Sequence, residues 1–221
     1  MLKPPYKDTA KLRQAIIDTC REMNRRGINQ GTSGNVSARA GKRMIITPSG
    51  VPYDRMTPDM LVSVPLNGKG KQKGDFPPST EWQFHQALLR EKEDMHAVVH
   101  AHPVHCTALS INRVEIPACH YMVAIFGGNT VPLADYALFG SQDLADHVTG
   151  AMKERSGCLM ANHGAVVTGE TLEKALWRME ELEVLAHAYI VSQTVGKPHI
   201  LSKDEIDEVL GAVANYGIKS S

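Results

Sequence analysis

The chain has 221 residues, 43% of them hydrophobic and 22% charged, the composition of one ordinary globular domain spanning 1–221 with a sizeable core. Lys+Arg and Asp+Glu both number 24, so no net field favours nucleic acid or an anionic membrane, and an anionic ligand must be held by local groups. Cys20, Cys106, Cys119 and Cys158 are scattered without a CxxC pair, which argues against a disulfide scaffold and a Cys-type zinc site. With no signal-type leader and no apolar run of about 18 residues, a soluble cytoplasmic protein is the expectation.

In chain order, Leu12, Ile16, Ile17, Cys20 and Met23 recur at helical spacing and predict an amphipathic helix over 8–26, stopped by Gly27. GINQGTSGNVSAR reads as a glycine-rich loop before the strand RMIITP, and VPLNGKGKQKGDFPPS as a polar hairpin or surface loop. Ser79 or Thr80 is the expected N-cap of a helix carrying Trp82, Leu88 and Leu89, with Glu81 in its first turn. A strand HAVVHAH, a helix VHCTALSIN, an extended piece IPACHYM and a turn at Gly127-Gly128 follow. SQDLADHVTGAMKER reads as a capped helix, GCLMANHGAVVTG as one strand with a central glycine, and 171–196 as a long helix ended by Gly196. LSKDEIDEVLGAV is the last helix, with NYGIKSS a polar tail. Without a clear βαβ repeat, the pattern favours a layered α/β fold over a doubly wound one.

The chemistry concentrates in HAVVHAHP. Side chains two apart on a strand share a face, so His100 and His102 can reach one ion. Adding Glu81 and His163 gives three imidazoles and a carboxylate, the donor set of a catalytic divalent zinc site. Gly164, next to His163, allows close approach. Read singly, the His pair fits a chance surface pair and Glu81 a helix N-terminal acid facing the dipole. His105 and His120 stand near enough to support the ligands, whereas His85, His96, His147, His187 and His199 read as surface or internally satisfied residues. Gly34-Asn35, Ser49-Gly50 and Ser79-Thr80 supply hydroxyls and amides suited to a phosphate, although each alone reads as turn chemistry.

Taken together, GTSGNVSAR, ITPSGVPYD, PPSTEWQFH, AVVHAHPVHCTALS, IPACHYM, GGNTVPLADYALFG, NHGAVV, LEKALWRMEELEVLA and NYG resemble the class II aldolase family across nearly the whole chain. That family groups sugar-phosphate aldolases of the L-fuculose-1-phosphate type with pentulose-phosphate 4-epimerases. The resemblance implies a three-layer α/β/α sandwich with a mostly antiparallel mixed central sheet, and a homotetramer with active sites at subunit interfaces. It implies Zn2+, or another divalent transition metal such as Mn2+ or Co2+, on His100, His102, His163 and Glu81. Glu81 would also be the acid/base of turnover. Asn35, Ser49, Gly50, Ser79 and Thr80 would hold the substrate phosphate. Tyr121 would reach from a neighbouring subunit to protonate the aldehyde oxygen, and Tyr216 would close over the site from the tail.

The implied reaction is reversible cleavage of a ketose 1-phosphate at C3–C4 into dihydroxyacetone phosphate and an aldehyde, with the ion absorbing the carbanion charge. Departures cluster at the aldehyde end. Ser33 replaces an alanine and Val213 a tail phenylalanine of fuculose-type members, while Phe139 is retained. The pocket therefore admits a 5-deoxy- or 5-methylthio-pentulose 1-phosphate as well as L-fuculose 1-phosphate. Two alternatives stand beside this: a 4-epimerase of the same fold, disfavoured because epimerases of the family usually carry Asp at the position of Glu81, and a metal-free scaffold, disfavoured because all four ligands are present.

Overall fold

The structure is a computed structural model that describes residues 2–213, without the side chain of Val213. In chain order the elements are α1 (Ala10–Arg25), β1 (Asn35–Ala40), β2 (Arg43–Ile46), a 3-10 turn (Pro58–Met60), β3 (Val62–Pro65) and α2 (Trp82–Glu91). Next come β4 (Ala97–Ala101), α3 (Val104–Ile111), β5 (Ile116–Pro117), a second 3-10 helix (Tyr121–Phe126), β6 (Thr130–Val131) and β7 (Leu133–Ala134). The chain continues with α4 (Gln142–Ala151), β8 (Gly157–Met160), β9 (Gly164–Gly169), α5 (Leu172–Val195) and α6 (Lys203–Val213).

Seven strands form one sheet in the order β3-β2-β1-β4-β9-β8-β7. Every pairing in it is antiparallel except β7 with β8. The sheet is apolar on both faces, so both must be covered. Val36, Ala38, Val99 and Val167 turn to one side and pack with Leu12, Ile16, Cys106, Met179 and Leu182 of α1, α3 and α5. Met44, Ile46, Val98 and Val166 turn to the other and meet Phe84, Leu88, Leu144 and Val148 of α2 and α4. The result is the expected three-layer sandwich with a mixed, mostly antiparallel sheet. Hydroxyls set three helix starts: Thr9, Ser141 and Thr171 accept from the amides of Leu12, Leu144 and Lys174.

Four local expectations are corrected. NVSAR is not loop but the body of β1, held between β2 and β4. β3 begins before the segment read as a polar hairpin, because its side chains are buried on the α2 face. GCLMANHGAVVTG is a hairpin of two strands, β8 and β9, turning at Ala161-Asn162-His163 with Asn162 at φ 53°. The N-cap of α2 is Glu81 itself, and its carboxylate caps nothing.

Candidate active site

The site grows from the edge where β1, β4 and β9 run out. In the ladder, Asn35 pairs with His100 and Ser37 with Val98, while His100 also faces Val166 across β9. Cross-strand partners share a face, so Asn35, Ser37 and His100 all point toward α2. His102 lies just past the end of β4 and His163 in the β8–β9 turn, so the chain brings a third ring beside the strand pair. Two close approaches permit this. A side chain at Gly34 would press on the His100 carbonyl at 2.7 Å, and one at Gly164 would strike the Ala101 carbonyl at 2.5 Å and the His102 ring at 2.7 Å.

One ring nitrogen from each of His100, His102 and His163 lies within 4.8 Å of the others. Glu81 closes the set: its Oε2 stands 3.2 Å from His100 Nε2 and its Oε1 3.2 Å from His163 Nε2. His100 Nδ1 donates to the Ala165 carbonyl at 2.9 Å, which leaves Nε2 turned to the centre. His102 Nε2 stands 3.1 Å from that nitrogen. Glu81 Oε1 is buried yet accepts no hydrogen bond. Three convergent imidazoles and an orphaned carboxylate oxygen fit a divalent cation, which satisfies all four at once.

The electrostatics agree. Burial tends to raise the Glu81 carboxyl, but the adjacent His100 and His163 imidazoles outweigh it and hold the group well below the usual carboxylate range. His100 is depressed by burial and lifted more strongly by Glu81, so its net direction is up. His102 is lowered to about 4 by burial and by its two neighbouring rings.

Behind the carboxylate lies a layer that the sequence did not announce. Asn35 Nδ2 donates to Glu81 Oε2 at 2.9 Å, and its Oδ1 lies 2.5 Å from His85 Nε2. Ser37 Oγ meets His85 Nδ1 at 2.8 Å. His85 is completely buried, stacks on Phe84 and is lowered to about 3, chiefly by desolvation and then by His100, so its ring is neutral. The available signal was the spacing: Glu81 and His85 are four apart on a helix, and Asn35 and Ser37 two apart on a strand. A second missed pair anchors the glycine loop. Tyr53 donates its hydroxyl to the Gly34 carbonyl, and Asn29 Oδ1 accepts from the His102 amide at 3.3 Å.

A cleft of about 400 Å³ opens over the ligands, lined by Ser33, Thr80, Glu81, His102, Phe139 and His163 together with Thr32, Tyr136 and Asn162. The bridge between Pro48 and Pro78 sets TPSG against PPST, with Ser49 donating to the Pro77 carbonyl and Ser79 to that of Thr47. Among the described residues no backbone carbonyl takes the amides of Gly50 or Thr80. Asn35 is turned inward to Glu81 and His85 rather than into the cleft. Phe139, Tyr136 and Leu138 form an exposed apolar rim. Tyr121 opens the second 3-10 helix, is 52% exposed and does not line the cleft of its own chain. Tyr216 and the side chain of Val213 lie outside the described residues.

The other histidines divide. His105 pairs with Glu183 and stacks on His187, and His120 accepts from the Met122 amide, so neither touches the ligands. The cysteines are free thiols, three of them buried.

Fold and site together define an α/β protein with three imidazoles, able to hold a metal ion, at the end of a mostly antiparallel sheet. The model of the Class II Aldolase and Adducin N-terminal domain family matches residues 14–190, and the chain belongs to that family. It is 47% identical to the L-fuculose phosphate aldolase of Escherichia coli strain K12 over 95% of this chain and 97% of that protein. It is 46% identical to a 5-methylthioribulose-1-phosphate/5-deoxyribulose-1-phosphate aldolase of Escherichia coli O45:K1 strain S88 over 95% of this chain and 98% of the other. A solved L-fuculose 1-phosphate aldolase superposes with a TM-score of 0.90 at 30% identity, covering 96% of this chain and all of that one. The protein is an aldolase of the lyase class. The family implies a divalent metal, and the three histidines form a group able to hold one.

Proposed function

We propose that this aldolase reversibly cleaves a deoxyketose 1-phosphate into dihydroxyacetone phosphate and a short aldehyde with an apolar end. The observation that carries the reading is Glu81, a buried carboxylate with one unpartnered oxygen set between two imidazoles at the floor of a cleft. The names of both relatives fit this substrate class, and the exposed aromatic rim of Tyr136 and Phe139 suits an apolar tail at the far end.

Zn2+ is the ion this donor set suits best, with Mn2+ or Co2+ as substitutes, held by His100, His102, His163 and Glu81. When bound, the cation supplies Lewis acidity that stabilises negative charge as C3–C4 breaks. The protein residues do the rest. Ser49, Gly50, Ser79 and Thr80, with the start of α2 beside them, orient the phosphate through hydroxyls and amides, and Asn35, turned to Glu81 and His85, supports the carboxylate instead. In condensation the Glu81 carboxylate takes the proton from the dihydroxyacetone phosphate carbon; in cleavage, the reverse, the electron pair of C3–C4 passes to that carbon and the protonated Glu81, loaded from solvent, returns the proton. Tyr121, from a neighbouring subunit of a homotetramer, exchanges the proton of the aldehyde oxygen. Tyr121's exposure outside its own cleft supports this arrangement. Ser33 and Phe139 shape the aldehyde pocket.

No helix among the described residues is long and apolar enough to cross a membrane, in keeping with a cytoplasmic enzyme. The test is product analysis on a panel of ketose 1-phosphates, with and without chelator. Free dihydroxyacetone phosphate, lost on chelation, is expected; inversion at C4 without cleavage would establish an epimerase instead.

A further inference from the structure

We propose that His85 is a positioning residue for Glu81, acting through the carboxamide of Asn35, with Ser37 donating to the ring nitrogen of His85 that carries no proton. This rests on the reading of Glu81 as a metal ligand. The argument is one of hydrogen-bond direction. An ionised carboxylate only accepts, so the Asn35 group 2.9 Å from Glu81 Oε2 must be its NH2. That turns Asn35 Oδ1 the other way, where the 2.5 Å contact to His85 Nε2 requires Nε2 to be the protonated nitrogen. A neutral ring then offers Nδ1 as acceptor, and the Ser37 hydroxyl, 2.8 Å away, is the donor it needs.

The direction of the whole chain, Ser37 to His85 to Asn35 to Glu81, is therefore fixed from the Glu81 end, because the carboxylate only accepts whereas the Ser37 hydroxyl can do either. All four residues are buried, so water cannot substitute for a missing link. Without the Nε2 proton the Asn35 amide is free to rotate, and its oxygen would then face the carboxylate and repel it. Glu81 would lose the contact that holds Oε2 toward His100 while Oε1 stays free for the cation. Two spacings bring this about, Glu81 with His85 on one helical face and Asn35 with Ser37 on one strand face, joined by the register that sets Asn35 opposite His100.

The test is metal affinity of the reconstituted holoenzyme by competition with a chromogenic chelator, using Zn2+ as the probe. His85→Leu fills the space without a donor and is expected to raise the dissociation constant about ten- to a hundred-fold. His85→Gln, which returns an N–H toward Asn35 Oδ1, is expected to recover most of that loss. In the wild type, 15N chemical shifts are expected to show His85 protonated on Nε2, and Ser37→Ala, which only deprives Nδ1 of its donor, to keep that tautomer with at most a several-fold loss of affinity. Wild-type affinity in folded His85→Leu, or equal losses in the Leu and Gln variants, overturns the proposal. If His85→Leu fails to fold, the wild-type ring decides: a His85 protonated on Nδ1 and not on Nε2 overturns the proposal. A wild-type protein that cleaves no sugar phosphate yet shows these affinity changes upholds the positioning role and defeats the proposed activity.

Discussion

The two ends of the cleft are built on opposite principles. At the floor, Glu81 and His100 are buried, and each polar atom there except Glu81 Oε1 is spoken for by a named partner. At the mouth, Tyr136, Leu138 and Phe139 are more than half exposed and touch solvent. A buried polar network tolerates little change, because a removed partner leaves an unsatisfied group that costs about 1–3 kcal/mol. An exposed apolar rim tolerates much. The contrast puts the room for change at the mouth rather than at the floor.

The comparison breaks first at the ligands. His102→Ala removes one imidazole of the metal group, and stripping the metal with chelator removes the whole centre. Either is expected to lower turnover on the order of a thousand-fold, read by dihydroxyacetone phosphate release and metal content. Restored activity on adding the cation back to the stripped wild type, and not to the variant, is the matching control.

Next comes Glu81, the proposed base. Glu81→Gln is expected to slow proton exchange at the dihydroxyacetone phosphate carbon by roughly a hundred- to ten-thousand-fold, while three histidines still retain metal at saturating concentration. Undiminished exchange would remove Glu81 from its proposed role. The floor is also sensitive to packing. Phe84 lies edge-on to His100 with ring centres 5.5 Å apart, and Phe84→Ala is expected to destabilise the fold by about 3–5 kcal/mol in denaturant titration.

At the mouth, Phe139→Ala is expected to change the ratio of kcat/KM for lactaldehyde, acetaldehyde and methylthioacetaldehyde in condensation by roughly ten-fold, with metal content unchanged. A ratio that does not move would separate Phe139 from aldehyde selection.

The smallest effect belongs to the far side of β9. Burial tends to raise Glu170, but the Arg178 guanidinium, 2.7 Å away, wins and lowers it. A carboxyl lowered on folding stabilises at pH above its unfolded value, near 4.3, and that stability fades as pH falls through the folded value. Because Glu170 is nearly half exposed, Glu170→Gln is expected to cost under about 1 kcal/mol at neutral pH and to flatten the acid limb of the melting curve.

How far the residues alone carry can be followed along the same line from floor to tail. The alternation in HAVVHAH places His100 and His102 on one site without any knowledge of the fold, since a strand has period two. The apolar periods of α1 and α5 are equally legible, because each helix buries a single stripe. NVSAR escaped because its glycine-rich flank reads as loop while its pairing depends on β2 and β4. The β8–β9 hairpin escaped because its turn uses Asn162 in the left-handed region between two apolar runs. Asn35 suggested an anion contact, yet its amide is turned to Glu81, a residue 46 positions away.

The sequence by itself determined which donors the protein owns and, for His100 and His102, that they share a face, because periodicity is a property of neighbouring residues; its motifs carried the resemblance to the family. Only the tertiary structure decided how those donors meet: the register of β1 on β4, the packing of α2 on that face, and the turn that delivers His163. Those depend on contacts between residues far apart in the chain, and the direction of the Ser37–His85–Asn35–Glu81 hydrogen bonds exists only once they are made.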